Sequence, residues 1–296
     1  MARVLVIMNP VAARTDPAVV RTVSRVLDRE GWEVDVLGTT RPGHAADLAR
    51  QGVEEGVDAI AVYGGDGTTM QAVSGMIGGS VPLGLIPGGT GNLLAGNLRL
   101  PRNPTKAARL IAQGKTRPID VGKVERADGV HYFAVACGAG FDAEIMAGTS
   151  SGAKRRWKLA AYVAQAWTAI SHVQNVPYRV TVDDRVLEGT AATVLVVNCG
   201  EFIPPFARFG TGIALDDGLL EVVMLRAEGR IESAGVVWQL LRGRANGDGR
   251  VRYARGRRVT VETTPARPMQ LDGEAAGTTP FTAELIPGAI RVFTGS

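Results

Sequence analysis

The first part of the chain alternates short apolar runs with stretches of helical spacing. Val4 to Met8 is a continuous apolar run ended by Asn9-Pro10, and apolar positions at helical spacing follow from about Asp16 to Arg29. Trp32 to Leu37 is a second strand-length run, and a helix is predicted through Ala45, Leu48, Ala49 and Val53. Ile60 and Val62 lie in a third strand, Leu83 to Ile86 in a fourth, and a last helix is expected from about Pro104 to Gln113. Strands separated by helices predict a parallel, doubly wound, Rossmann-like α/β sheet over residues 1–120.

After Lys115 the helical spacing mostly stops. Strand-like runs follow at Ile119–Val124, Tyr132–Cys137, Tyr178–Asp183, Ala192–Asn198, Leu219–Leu225, Val259–Thr263, Met269–Asp272 and Thr282–Ile286. Turn signals between them include Asp183-Asp184, Asp216-Asp217-Gly218 and Asp272-Gly273. The pattern predicts a mainly antiparallel β-sandwich second domain over 121–287, interrupted by helices at Lys154–His172 and Ile231–Arg242. A final run, Ala289–Phe293, suits either domain.

Two of the strands run into unusual turns. The first ends in Gly64-Gly65-Asp66-Gly67-Thr68-Thr69, with a helix expected over Thr69–Met76; the second ends in Pro87-Gly88-Gly89-Thr90-Gly91-Asn92, with a helix start at Asn92. Strand, glycine turn and helix N-terminus bring backbone N–H groups and a helix dipole to one point, an arrangement that suits a phosphate. One such turn is equally a tight connection; two, on the edge where open α/β sheets bind ligands, favour a nucleotide or polyphosphate site. Asp66 is the carboxylate of the first turn, a candidate for work on phosphates through Mg²⁺ or water, or else an Asx turn. Thr68 and Thr90 are N-caps or phosphate contacts.

Composition adds bounds. With 296 residues the chain can bury a proper core, and a net charge of +4 is too mild to point to nucleic acid. Cys137 and Cys199 are the only cysteines, so buried free thiols in a reducing compartment are expected. No segment approaches membrane-spanning length, so membrane contact is expected to be peripheral. Histidines 44, 131 and 172 lack metal-ligand spacing, and there is no P-loop lysine, protein-kinase motif set or nucleophile elbow. Among other carboxylates in turns, Asp120, Asp142, Asp216, Asp217 and Glu274, the last directly follows a tight turn and can accept a hydroxyl proton. The residues thus favour phosphoryl transfer without a P-loop. The basic helix entry Lys154-Arg155-Arg156-Trp157-Lys158 suits an anionic lipid surface, a substrate phosphate or plain solvent.

The ordered set GGDGT at 64–68, PGGTGN at 87–92, IDVG at 119–122, GAGFDA at 138–143, DDGLLEVV at 216–223 and LDGE at 271–274 resembles the bacterial lipid kinases of the diacylglycerol kinase catalytic-domain type, which are related to sphingosine and ceramide kinases. GGDGT alone is shared with NAD kinases and phosphofructokinases. The resemblance implies an ATP- and Mg²⁺-dependent enzyme that phosphorylates a hydroxyl of diacylglycerol or a similar lipid. It further implies that the terminal segment 288–296 completes the nucleotide domain. By position, Thr39, Gly64, Gly65, Asp66, Gly67, Thr68, Thr69, Met70 and Thr90 look like nucleotide contacts. Glu274 looks like the base, Asp66 and Asp120 look like support for Mg²⁺-ATP and the catalytic network, and Asp217 with the carbonyls of Ala214 and Leu219 looks like a structural magnesium site in the second domain. The expected setting is cytoplasmic, peripheral to the inner face of the membrane, as a homodimer and without nucleic acid.

The chain departs from the family pattern at Val11-Ala12-Ala13, at Met70-Gln71 where Asn-Glu is usual, and at Leu93 where an acid is usual. An NAD kinase-like enzyme and a catalytically silent nucleotide- or lipid-binding regulator are the rival readings.

Overall fold

The computed structural model describes residues 1–12, 15–126, 129–140, 174–203, 207–208, 212–226 and 249–295, with positions 232 and 235. The expectations for Asp142, for Lys154–His172 and for most of Ile231–Arg242 lie outside the described residues. The chain divides into two units, Met1–Val121 with Pro287–Ser296, and Gly122–Ile286.

In the first unit, β1 (Ala2–Met8), α1 (Pro17–Arg29), β2 (Trp32–Gly38), α2 (His44–Glu54), β3 (Ala59–Gly64), α3 (Asp66–Met76), β4 (Leu83–Pro87), α4 (Leu93–Asn97) and α5 (Pro104–Ala112) alternate as expected. The helices start where the sequence supplies caps: the Asp16 carboxylate accepts from the Ala18 N–H and Asn103 accepts from Lys106, each followed by proline in the first turn. The strands lie in the order β2-β1-β3-β4, all parallel, and the end of the last strand adds beside β4 at Val292↔Leu83. Every residue of β3 is buried, because helices cover both faces of a parallel sheet; that is why its run lacks polar alternation. Val4, Val6, Ala59, Ala61 and Ile86 pack with Val23 and Leu27 of α1 and Ile111 of α5. Each fully buried Val, Leu or Ile contributes about 1.5–3 kcal/mol, enough to fix the register of the strands and with it the position of the turns at their ends.

β5 (Thr116–Arg126) leaves the first unit and enters the second. There follow β6 (Gly129–Phe133), β7 (Ala136–Ala139), β8 (Val176–Val182), β9 (Arg185–Ala191), β10 (Thr193–Val197), β11 (Glu201–Ile203), β12 (Ala207–Arg208), β13 (Leu220–Leu225), β14 (Val251–Gly256), β15 (Arg258–Thr263), β16 (Pro268–Leu271), β17 (Glu274–Thr278) and β18 (Phe281–Phe293). An antiparallel sheet runs β14-β13-β10-β7-β16-β17, and β18, β15, β8 and β9 pair antiparallel in a second. Val180, Val182, Val259 and Val261 of one sheet pack with Val194, Val196, Val222 and Met224 of the other, which makes the sandwich. Both cysteines are buried free thiols, and burial pushes the Cys137 thiol well above its usual range.

Three sequence expectations need correction. The run Tyr132–Cys137 is two strands, broken at Ala134-Val135, because the N–H groups there turn to a carboxylate instead of a ladder partner. The runs Thr282–Ile286 and Ala289–Phe293 are one strand, β18, that passes through Pro287-Gly288; Gly288 takes a left-handed φ of 57°. Finally, β9, β14 and β17 were not visible as strands, since β9 and β17 are largely exposed and carry charged, small and glycine residues.

Candidate active site

The glycine turns lie at the carboxyl ends of β3 and β4, and the residues singled out around them occupy one edge of the parallel sheet. The ladder continues one step past the strands: the Thr39 N–H donates to the Met8 carbonyl at 2.8 Å, Asn9 to Tyr63 at 3.1 Å and Gly88 to Gly64 at 2.8 Å. The ends of β2, β1, β3 and β4, which carry Thr39, Asn9, Gly64 and Gly88–Thr90, are thereby held side by side. Strand order reverses between β1 and β3, and open α/β sheets bind ligands outside the carboxyl ends at such a switch point.

Helix α3 begins at Asp66, three residues before the expected start, with extended Gly65 as N-cap. Gly67 and Thr68 are therefore in its first turn, where N–H groups have no acceptor inside the helix and the dipole is positive. The Thr68 hydroxyl accepts from Asn9 Nδ2 at 2.8 Å, and the Thr69 hydroxyl donates to the Gly65 carbonyl at 3.0 Å. Both residues are buried, and the Thr69 N–H donates to the Gly65 carbonyl at 3.0 Å. Thr90, by contrast, is exposed, whereas Gly67 and Met70 are half-buried.

The two turns touch. A Cβ on Gly89 would lie 2.6 Å from Gly65 Cα, and one on Gly91 would lie 2.6 Å from Asp66 Oδ2. A side chain at Gly89 would meet backbone, and one at Gly91 would displace the Asp66 carboxylate, so part of the glycine content serves turn-against-turn packing. Asp66 fastens this contact: Oδ2 accepts from the Asn92 N–H at 2.7 Å and Oδ1 from the Leu93 N–H at 2.6 Å. It caps α4, not its own helix. Asn92 sits in the left-handed region at φ 52° and spends its side chain on Gly89, its Oδ1 accepting from the N–H at 3.0 Å and its Nδ2 donating to the carbonyl at 2.8 Å. Burial pushes the Asp66 carboxyl above its usual range, and the N–H groups of Leu93 and Asn92 oppose that shift. Under the turns, the gap beside Asp66, Thr69 and Asn92 has a volume of about 10 Å³. That is room for one water at most, too little for a larger ligand.

Asp120 is buried on β5, and its Oδ1 accepts from the Gly288 N–H at 2.7 Å. Together with the Arg291 Nη2 bond to the Thr116 hydroxyl at 2.9 Å, it ties the returning terminal segment to β5. No hydrogen bond or ion pair with Asp66 is among its described contacts.

In the second unit, Glu274 opens β17 and is exposed, its side chain without a hydrogen bond or ion pair among the described residues. It pairs with Leu271 across the two-residue turn Asp272-Gly273, whose φ values of 46° and 91° are those of a tight hairpin. The Asp272 carboxylate holds that turn: Oδ2 accepts from the Ala134 N–H at 2.9 Å, and Oδ1 accepts from Val135 at 2.9 Å and Ala136 at 2.8 Å. Gln270 Oε1 accepts from the Gly273 N–H at 2.7 Å. Asp272→Asn is expected to destabilise the protein by about 1–3 kcal/mol, since an amide cannot satisfy three backbone donors; urea unfolding measures it, and an unchanged midpoint would show that the hairpin does not depend on this clamp.

Asp217, Ala214 and Leu219 meet in one exposed loop. The Asp217 carboxylate accepts from the Ala214 N–H at 3.3 Å and the Leu219 N–H at 3.0 Å. Arg255 anchors the loop, donating to the Gly212 carbonyl at 3.1 Å while pairing with buried Glu221. Burial raises the Glu221 pKa, and Arg255 opposes the rise. A carboxylate has about four lone-pair directions, so two remain after these bonds. The residues of the loop thus turn N–H groups to Asp217, and among the described residues there is no group of three or more His, Cys, Asp or Glu placed to hold a metal ion.

Sequence reasoning missed Asn9, Asn92 and Asp272 as organising side chains. An Asn directly after a parallel strand was the available signal for Asn9. Asp272 finds its partners 136 to 138 residues away, so nothing local pointed to them.

Residues 3–124 match the family model of the diacylglycerol kinase catalytic domain, and residues 135–294 match that of the YegS C-terminal NAD kinase beta sandwich-like domain. The chain is 28% identical over 284 residues to a diacylglycerol kinase of Mycobacterium tuberculosis, covering 91% of this chain and 87% of the relative. It is 28% identical over 286 residues to a diacylglycerol kinase of Bacillus subtilis, covering 95% and 92%. Its fold matches the crystal structure of a diacylglycerol kinase from Bacillus anthracis at a TM-score of 0.78 and 24% identity, over 99% of this chain and 97% of the other.

Proposed function

Because the chain belongs to the diacylglycerol kinase catalytic-domain family and is a lipid kinase, we propose that it transfers the γ-phosphoryl group of ATP, with Mg²⁺, to a hydroxyl of diacylglycerol or a similar amphiphile. The observation that carries this reading is the joined pair of glycine turns at the switch point of the sheet, with the first-turn amides of α3 beside them. Thr39, Gly64, Gly65, Gly67, Thr68, Thr69, Met70 and Thr90 form the nucleotide-binding edge. Asp66 holds the two turns in register, and Asp120 fixes the segment that completes this unit.

When bound, Mg²⁺ neutralises charge on the phosphates. A separate, structural magnesium would be held by the Asp217 loop, with the carbonyls of Ala214 and Leu219. Glu274 accepts the proton of the lipid hydroxyl as that oxygen bonds to the γ-phosphorus; the bond from phosphorus to the bridging oxygen breaks, and the products are a phosphorylated lipid and ADP. Glu274 suits this role because it is exposed, its side chain without a partner among the described residues, and set on a clamped turn. A lipid of this class resides in a bilayer, so the acceptor is reached at a membrane surface.

The test is transfer of label from γ-labelled ATP to an extracted lipid mixture and, separately, to NAD. Labelled lipid is the expected result. Labelled NAD supports the NAD kinase-like reading, and no labelled product with intact ATP binding supports a silent regulator.

A further inference from the structure

Helix α2 begins without a cap of its own. Gly43, its N-cap, lies in the left-handed region at φ 80° and offers no side chain. In a capping box the residue three positions on, Glu or Gln, accepts from the N-cap backbone N–H. Here that position is Ala46, whose side chain offers no acceptor and whose carbonyl oxygen lies against α3, 2.2 Å from where a Cβ on Gly75 would stand. The missing acceptor comes from α3 itself: Gln71 Oε1 accepts from the Gly43 N–H at 3.1 Å. Gln71 and Gly75 are four residues apart and share the face that α3 turns to α2.

The segment so capped joins β2 to α2 and begins at Thr39. Its other side-chain bonds are local, Thr40 to His44 Nδ1 at 3.1 Å and Arg41 Nη2 to Asp47 at 2.5 Å. Gln71 instead ties it to the helix whose first turn is the Gly65–Thr68 turn. We propose that Gln71 is a positioning residue for the nucleotide: it fixes the loop that runs from Thr39 to Gly43 at its far end, the near end being held by Met8, and thereby sets the KM for ATP, not the rate of the chemical step. The inference rests on the reading of this edge as the ATP site. It also assigns a role to a position where the chain departs from its family, with a neutral amide supplying the acceptor.

The experiment measures kcat and KM for ATP in the full-length protein and in Gln71→Ala, Gln71→Met and Gln71→Glu. Loss of the acceptor in the Ala and Met variants is expected to raise KM about three- to tenfold with kcat within about twofold, the scale of one hydrogen bond. Gln71→Glu keeps an acceptor oxygen and is expected to hold KM near that of the unsubstituted protein. Unchanged KM in both the Ala and Met variants, or a fall in kcat alone, overturns this inference while leaving the ATP reading intact. Failure of the unsubstituted protein to saturate with ATP overturns the ATP reading and this inference with it.

Discussion

Glu274→Gln is expected to lower kcat by about 10²–10⁴-fold, the usual contribution of a general base, and to leave ATP binding and the unfolding midpoint unchanged. Gln has the same shape but cannot take a proton at neutral pH. The Glu274 side chain forms no hydrogen bond or ion pair among the described residues, and its turn is held by Asp272 and Gln270. The substitution therefore removes chemistry without removing structure. Steady-state turnover, nucleotide-analogue binding and urea unfolding on the same preparation separate the two. Unchanged turnover would remove Glu274 from the mechanism; lost binding would make it a nucleotide contact.

Asp66→Ala is expected to act through the fold of the nucleotide edge. It removes two charge-assisted bonds, to the N–H groups of Asn92 and Leu93, and leaves α4 without its cap. At about 1.5–3 kcal/mol for each such bond, the loss is about 3 kcal/mol or more, a large share of the 5–15 kcal/mol that typically holds a domain together. ATP binding should disappear along with turnover because the two glycine turns lose their register. Asp66→Asn keeps one acceptor oxygen and is expected to fall between. An Asp66→Ala protein with an unchanged urea midpoint and lost turnover would show instead that the carboxylate acts on the phosphates directly. The departure at Leu93 bears on this clasp: an acid is usual there in the family, yet the bond to Asp66 comes from the backbone N–H, which any residue but proline supplies.

The alternating first half was legible because β1, β3 and β4 are apolar runs buried in the sheet and α1, α2 and α5 each show one apolar face, while β2, exposed at the edge, still carries a strand-length run. Ile60 and Val62 therefore announced β3, and Asp16-Pro17 and Asn103-Pro104 announced their helices. The glycine turns were legible one at a time, since glycine content is local. Their contact was not: Gly65 meets Gly89, and Asp66 meets Leu93, across more than a whole β-α unit. In the sandwich, β8 was visible from its buried-exposed alternation. β17 was not, because Glu274-Ala275-Ala276-Gly277-Thr278 buries little and is placed by its partner β16 and by the Asp272 clamp. The position of Glu274 after a tight turn was readable; what makes that turn rigid was not.

The central claim, that ATP is the donor and a lipid hydroxyl the acceptor, is tested most directly by one assay: the purified protein, γ-labelled ATP and diacylglycerol in detergent micelles, with Mg²⁺ and with a chelator in its place. Labelled phosphatidate that depends on Mg²⁺ is the expected result. Unlabelled lipid in the presence of Mg²⁺ and intact ATP, across diacylglycerol and the extracted lipid mixture alike, would contradict the account.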